Sequence, residues 1–349
     1  MTDTDPATGA GPPAPTPNPP ATGADPAATI PDPPATGADP AATDPNPPAT
    51  GARVPWADVP ASVRAAVEDF LGDGVAEAVT QPGGFSPAAA CRLRTRGGKR
   101  AFVKAVGPEP NADAVRIYRS ELRVARALPA SVPAPRLLTG FELDGWVVLV
   151  FEDVEGRHPA MPWRRDELDR VLAAIEEMSA ALTPAPIDVP PIGEVFGDQF
   201  QGWRRLLEED TTGLDPWALR HLGELAELET GWDTAAAGDT LAHADLRADN
   251  ILLAGDRVYV VDWPWAARAA PWFDLVAMLP SVGMQGGPPP HELAELPGDD
   301  VTKAVAAMTG FFVHMSRQPP PPGLPTLRAF QRAQGVVALD WLKRRTGWA

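Results

Sequence analysis

Hydrophobic and polar residues recur with two different periods along the chain, and the period changes near its middle. Between residues 54 and 154, short apolar runs rich in β-branched residues end at turn residues, as in the strand predicted over residues 146–151. Beyond residue 159, apolar positions recur three and four residues apart, most clearly over residues 165–182. The pattern therefore predicts a β-rich region with one helix, followed by a larger region that is mainly α-helical.

The first 52 residues differ in composition from the rest of the chain. They contain no Lys, Arg or aromatic residue and hold 15 of the 43 prolines. A 14-residue unit that begins at Pro17 repeats at Pro31 and in part at Pro45. Because such a tract has no apolar face to bury, we expect residues 1–52 to form a disordered, extended arm, with the folded part beginning near residues 54–56.

Charge and cysteine content narrow the possible functions. The 349 residues carry a formal charge of −16, of which the six Asp of the arm account for −6, so the rest of the chain carries −10. A negative surface disfavours nonspecific binding to nucleic acids and to anionic membranes. A single cysteine, Cys91, excludes an internal disulfide, and no apolar run is long enough to cross a membrane. We therefore expect a cytoplasmic protein with neither nucleic acid nor membrane as a partner, and the arm's protein partner stays undefined.

A polar segment near residue 250 carries the residues suited to catalysis. Residues 243–250 read HADLRADN, and Asp-Trp follows at residues 262–263. The apolar runs between them predict a hairpin, and folding it about Asp256 would bring Asn250 opposite Asp262. Two such oxygen ligands suit Mg²⁺, which commonly takes one or two ligands from protein. A single Asp or Asn beside a turn more often binds loop amides, but here the whole set of features coincides.

The segment from His243 to Asn250, followed by Asp262, resembles the aminoglycoside phosphotransferase and choline kinase superfamily, small-molecule relatives of the protein kinases. The resemblance extends over residues 55–349. It implies an α+β, protein-kinase-like fold of two lobes after the arm, with an N-lobe at residues 53–153 that binds nucleotide and a C-lobe at residues 154–349. It also implies ATP and Mg²⁺ as cofactors and a small hydroxylated substrate as the acceptor of the γ-phosphoryl group.

Residue roles follow from the same resemblance. In kinase catalytic loops an Asp accepts the proton of the attacking hydroxyl, while an Asn and a later Asp hold Mg²⁺ on the nucleotide. These roles fall to Asp245 as base and to Asn250 and Asp262 as metal ligands. His243 is expected to organise its loop, the alternative being a proton donor. Asp274 either anchors the catalytic loop or caps the helix that follows it.

Two residues upstream fit the nucleotide side of such a site. Lys104 stands in an apolar strand, and Glu121 falls within the apolar face of the next predicted helix. Because a buried unpaired charge is costly, we expect the two side chains to pair. The alternative is that Lys104 extends into solvent from an edge strand and Glu121 is a solvated helix charge.

Two further nucleotide contacts rest on position alone. Gly83, Gly84 and Ser86 lie where the resemblance places the loop over the phosphates, although the G-x-G-x-x-G spacing of protein kinases is missing. Glu152 and Val154 follow a predicted strand, where the resemblance places adenine against their backbone groups. An ordinary strand exit explains these two residues equally well.

The sequence leaves the acceptor and two other functional classes open. Basic residues in the closing helix argue against a polycationic aminoglycoside, whereas acidic residues at 292–300 either border the substrate cleft or face water. A pseudokinase or partner-binding protein without turnover is disfavoured because the catalytic set is complete. A protein kinase is disfavoured by Trp263-Pro264 in place of Phe-Gly and by the missing glycine motif.

Removing residues 1–52 is expected to leave the melting temperature and the affinity for ATP nearly unchanged, because the arm has no apolar surface to bury. Thermal unfolding and ATP titration of the shortened and full-length chains would measure both quantities. A large fall in melting temperature after the deletion would show that the arm is part of the folded structure.

Overall fold

The computed structural model describes residues 53–81, 88–109, 112–321 and 324–349. The arm predicted at residues 1–52 lies outside them. So do the predicted phosphate-loop residues Gly83, Gly84 and Ser86. Those two predictions therefore stay predictions.

Within the described residues, the N-terminal region is built on a five-stranded antiparallel sheet in the order β1-β2-β3-β5-β4. Its elements are α1 (Ala61–Leu71), β1 (Val75–Thr80), β2 (Ala89–Thr95), β3 (Arg100–Val106), α2 (Ala112–Ala127), β4 (Leu137–Leu143) and β5 (Trp146–Phe151). Alternation along the strands divides the apolar residues between two cores, because successive side chains point to opposite faces. Val148 and Val150 of β5 pack with α1, whereas Val147 and Leu149 pack with α2.

The same alternation positions Lys104. Val103 and Ala105 of β3 belong to the core shared with α1, and their neighbours Phe102 and Val106 belong to the core shared with α2. Lys104, between Val103 and Ala105, therefore points toward α2, the helix that carries Glu121.

The sequence pattern predicts one helix in this region, whereas the structure has a second, α1. Its apolar residues Val63, Val67 and Leu71 are buried at intervals of four, and Gly72 ends the helix with φ +73°. This is a short amphipathic helix closed by a left-handed glycine. Its first turn also contacts the rest of the region, because a hydrogen bond joins Ser62 Oγ to Asp144 Oδ2 over 2.6 Å.

The C-terminal region is mainly helical, as the period of the sequence predicts. Its helices are α3 (Arg165–Ala181), α4 (Ile192–Phe196), α5 (Gly202–Leu206), α6 (Pro216–Arg220), α7 (Leu222–Leu228), α8 (Trp232–Ala235), α9 (Phe273–Met284), α10 (Pro290–Leu293), α11 (Asp299–Met315) and α12 (Leu327–Thr346). Two short antiparallel pairs carry the polar segment: β6 (Thr240–Ala242) with β9 (Ala267–Ala269), and β7 (Ile251–Ala254) with β8 (Arg257–Val260). Both pairs contribute to the helical cores: Ala242 and Ala267 belong to one core, and Ile251 and Val260 belong to the other.

In the part of the chain that the structure describes, no helix is long and apolar enough to cross a membrane. The described residues fall within one compact unit. The boundary predicted between lobes at residues 153 and 154 is not resolved by that division and stays a prediction.

Candidate active site

Lys104 joins the N-terminal sheet to both α2 and the catalytic segment. Its Nζ lies 2.5 Å from Glu121 Oε2 and 2.6 Å from Asp262 Oδ1, and 4.9 Å from the centre of the Tyr118 ring. The pairing predicted between Lys104 and Glu121 is therefore present. Asp262 is a partner of Lys104 that the sequence analysis did not anticipate, because 158 residues separate the two.

Burial and charge act in opposite directions on these three groups. Burial alone would lower the pKa of Lys104, but the carboxylates of Asp262 and Glu121 outweigh it and hold the pKa above its usual value. Burial raises the pKa of Glu121, which is 1% exposed, against the opposing effect of Lys104. For Asp262 the effect of the Lys104 ammonium outweighs that of burial, so the pKa of Asp262 is lowered. Lys104 thus carries a full positive charge between two carboxylates.

A buried carboxylate from α9 fixes the segment that begins at His243. Asp274 Oδ2 accepts a hydrogen bond from the His243 N–H, and Asp274 Oδ1 accepts one from the Ala244 N–H, both at 2.8 Å. Ala244 has φ +66°, a conformation that L-residues rarely adopt, and this bond holds it. Helix α9 makes no side-chain cap at Trp272. Asp274 therefore anchors the loop, which settles the alternative left open by the sequence.

His243 is buried, and both of its ring nitrogens are engaged. Nε2 lies 3.0 Å from the Val261 carbonyl oxygen, which can only accept, so Nε2 carries the proton. Nδ1 accepts a hydrogen bond from the Asp245 N–H at 3.2 Å. Burial lowers the pKa of His243, which agrees with this neutral form. The geometry favours the organising role predicted for His243 over that of a proton donor.

The predicted hairpin is present, but its register differs by one residue from the prediction. Ile251 pairs with Val260, and the Val261 N–H donates to the Asn250 carbonyl at 2.9 Å, so Asn250 lies opposite Val261 and not opposite Asp262. The turn has two central residues with Gly255 at φ +56°, so its centre precedes Asp256. The placement of Asn250 directly opposite Asp262 was therefore wrong.

Asn250 and Asp262 still present oxygen atoms suited to a hard cation. The Asn250 side-chain nitrogen donates to the Asp245 carbonyl at 2.7 Å, which leaves its amide oxygen as the atom it can offer. Asp262 Oδ1 accepts a hydrogen bond from Lys104 Nζ, and 42% of the Asp262 side chain is exposed. Asp262 lies two residues after the end of β8 and has a φ of +70°. An amide oxygen and a carboxylate oxygen fit Mg²⁺, which completes its shell with phosphates and water. No group of three or more His, Cys, Asp or Glu side chains suited to a metal occurs among the described residues.

Asp245, the predicted base, lies beside a guanidinium that the sequence analysis left without a role. Arg247 Nη1 is 2.5 Å from Asp245 Oδ1, and Arg247 also binds both carboxylate oxygens of Asp249 at 2.9 Å. The second oxygen of Asp245, Oδ2, lies 3.4 Å from the Asn250 side-chain nitrogen. Burial raises the pKa of Asp245 to about 6, although Arg247 opposes the shift. The sequence feature that could have drawn attention to Arg247 is its position two residues after Asp245.

In the linker that follows β5, residues 152–154, two backbone groups already make hydrogen bonds. The Glu152 N–H donates to the Arg136 carbonyl at 3.0 Å, and the Val154 carbonyl accepts from Arg92 Nη2 at 2.8 Å and from the Gly156 N–H at 2.9 Å. An adenine base at this linker would therefore need the Glu152 carbonyl and the Val154 N–H. Both residues also line an open cleft of about 520 Å³ on the linker.

The charged residues that bear on the acceptor serve structural contacts. Arg345 of α12 donates to the carbonyls of Leu296 and Gly298, at 2.8 and 3.1 Å, and so fixes the acidic segment near residues 292–300. Lys343 pairs with Asp215 at 3.0 Å. Arg345 binds backbone carbonyls of this segment, so these contacts leave its acidic side chains unassigned. The expectation that the basic residues of α12 disfavour an aminoglycoside stays a prediction.

Comparison with known proteins identifies the family. A model of the phosphotransferase enzyme family, APH, matches residues 79–300. The chain belongs to this family, whose members are small-molecule kinases and phosphotransferases, and both the family and the class of enzyme predicted from the catalytic segment are confirmed. No significant match was found among curated proteins.

Solved structures show the same fold. A thermostable mutant of aminoglycoside phosphotransferase APH(4)-Ia, in complex with ADP and hygromycin B, is 16% identical with a TM-score of 0.53, covering 82% of this chain and 100% of that one. A choline/ethanolamine kinase family protein from Mesorhizobium loti is 16% identical with a TM-score of 0.52, covering 82% of this chain and 94% of that one. At 16% identity, these TM-scores establish a shared fold and nothing more specific. The predicted protein-kinase-like α+β fold is confirmed.

Proposed function

We propose that the protein transfers the γ-phosphoryl group of ATP to a hydroxyl group of a small molecule, with Asp245 as base and Asn250 and Asp262 as magnesium ligands. The observation that carries this proposal is the bond from Lys104 Nζ to Asp262 Oδ1, which joins the nucleotide side to the catalytic segment. A cytoplasmic location, where ATP is available, is part of the same proposal.

The chemistry assigns one task to each group. The acceptor oxygen attacks the γ-phosphorus, a new P–O bond forms, the bond to the β,γ-bridging oxygen breaks, and ADP leaves. Asp245 receives the proton of the acceptor hydroxyl. In this proposal the ammonium of Lys104, held by Glu121 and Asp262, binds the phosphates. Such reactions depend on positioning and on charge stabilisation, which a loop anchored by Asp274 supplies.

Two features support ATP and Mg²⁺ as the cofactors. Mutants of APH(4)-Ia with this fold have been captured with ADP and with AMP-PNP. In this chain the oxygen atoms of Asn250 and Asp262 form the donor set described above, which would hold Mg²⁺ on the nucleotide phosphates. The bound ion would neutralise charge on the transferred group.

ADP release across a panel of alcohols tests the proposed function. The panel would include hygromycin B and other aminoglycosides, choline, ethanolamine, sugars and nucleosides, each with Mg·ATP. We expect at least one alcohol to raise ADP release far above hydrolysis alone and to become phosphorylated. Binding of ATP without ADP release for any alcohol would favour the alternative, a nucleotide-binding pseudokinase or partner-binding protein.

Mg·ATP is expected to raise the melting temperature, because a ligand that binds the folded state stabilises it. Asn250→Ala and Asp262→Ala should each abolish the part of that rise that depends on Mg²⁺, since the cation loses one of its two protein ligands. Thermal shifts with ATP, measured with Mg²⁺ and with EDTA, would report this. Asp256→Ala, in the exposed turn of the same hairpin, is the control. Equal shifts with and without Mg²⁺ in the unmodified protein would contradict the metal assignment.

A further inference from the structure

Arg247 occupies a defined place in the catalytic loop. The loop is extended here, with Arg247 at φ −151° and ψ 165°, so successive side chains alternate in direction. Leu246 and Ala248 are buried in the core with α3 and the β7–β8 hairpin. The side chains of Asp245 and Asp249, by contrast, both contact Arg247.

The Arg247 guanidinium contacts Asp249, Asp245 and Phe330, each through a different part of the group. Nε and Nη2 bind the two oxygens of Asp249 side by side, at 2.9 Å each, which is the bidentate geometry that only Arg provides. Nη1 is left directed at Asp245 Oδ1, 2.5 Å away. The Cζ atom lies 5.6 Å from the centre of the Phe330 ring of α12, within the range of a cation–π contact. Only 14% of the Arg247 side chain is exposed.

We propose that Arg247 is the positioning residue for the base, binding Asp245 Oδ1 from a support made by Asp249 and Phe330 so that Oδ2 is directed at the acceptor hydroxyl. The Asn250 side chain lies 3.4 Å from Oδ2, too long for a strong hydrogen bond, so Oδ2 stays available. This inference rests on the proposed function, because it presumes that Asp245 receives the proton.

A lysine at position 247 could not replace Arg247 in this positioning role. A single ammonium cannot bind both oxygens of Asp249 and also reach Asp245 in the plane set by that pair. Without the support the Asp245 carboxylate can rotate, and a displacement of about 1 Å at a reacting group can cost about 10²-fold in rate. Binding of nucleotide does not depend on that orientation.

The test uses the full chain with Mg·ATP, and with water or the best alcohol of the panel as acceptor. We expect Arg247→Lys and Arg247→Ala to lower kcat by about 10- to 100-fold, with KM for Mg·ATP and the Mg·ATP thermal shift retained. Asp249→Asn, which weakens the support, should give a smaller loss. Guanidinium ion at low millimolar concentration should restore part of the activity of Arg247→Ala. Arg257→Lys is the matched control, because Arg257 also lies over an aromatic ring, 4.6 Å from Tyr259, but at the exposed end of the hairpin.

A double-mutant cycle separates positioning from other roles. In an Asp245→Asn background, Arg247→Ala should lower the residual kcat no further, because its effect passes through the Asp245 carboxylate. An equal loss in both backgrounds would overturn the proposal and point to a direct contact with the phosphoryl group. Loss of the Mg·ATP thermal shift in both Arg247 variants would also overturn it. If Asp245→Asn itself kept full activity, the proposed function would fail instead, which is a separate outcome.

Discussion

Replacing Asp245 with Asn is expected to lower kcat by about 10²- to 10⁴-fold, the usual contribution of a positioned acid or base. Asn has nearly the same shape, but it cannot receive the proton of the acceptor hydroxyl. Nucleotide binding should be largely retained, because Lys104 and the proposed metal ligands Asn250 and Asp262 are unchanged. Steady-state ADP release with the best alcohol of the panel would give kcat and KM, and the Mg·ATP thermal shift would show that the site is still formed.

The control is Asp256→Asn, the same chemical change in the exposed turn between β7 and β8. It should leave kcat unaltered. Full ATP-dependent phosphorylation by Asp245→Asn would mean that another group takes the proton and that the mechanism assigned to this loop is wrong. A loss of the thermal shift together with kcat would assign Asp245 to nucleotide binding.

Replacing Lys104 with Met is expected to lower the free energy of unfolding by about 3 kcal/mol and to weaken productive binding of ATP. Met fills the space of the lysine stem, so the change removes the charge without opening a cavity. Glu121, which is 1% exposed, then loses the ammonium 2.5 Å from its carboxylate. Only this contact is counted, because solvent screens the more exposed Asp262. Chemical denaturation and the KM for Mg·ATP would measure the two effects.

A second substitution separates stability from function in this prediction. Adding Glu121→Gln to Lys104→Met should restore part of the lost stability, because the buried unpaired charge is removed, while ATP turnover stays low. Lys303→Met, a half-buried lysine of α11, is the control and should change neither quantity. Unchanged stability in Lys104→Met would show that Glu121 is protonated or solvated when its partner is lost.

Local features of the site could be predicted from the sequence because they follow from short-range rules. The strand bearing Lys104, the helix face bearing Glu121 and the hairpin after Asn250 each depend on spacing within a few residues. The hairpin register was missed for a local reason too. Gly255 with its positive φ supplies the first central residue of a two-residue turn. Placing the turn centre at Asp256, and not between residues 255 and 256, moved Asn250 opposite the wrong partner.

Contacts between distant segments could not be predicted in the same way. The bond from Lys104 to Asp262 and the contact of Arg247 with Phe330 depend on how whole elements pack, which periodicity does not encode. The choice between anchor and cap for Asp274 was open for the same reason. It was decided by the direction of one carboxylate toward the amides of residues 243 and 244.

The charges around the loop have a consequence for what the site admits. Two cations, Lys104 and Arg247, face four carboxylates, those of Asp245, Asp249, Glu121 and Asp262. Under the proposed function, the excess of carboxylates would repel a triphosphate that carries no divalent cation, whereas Mg·ATP would bring a positive charge to Asp262. The proposed site would therefore favour the magnesium complex over the free nucleotide.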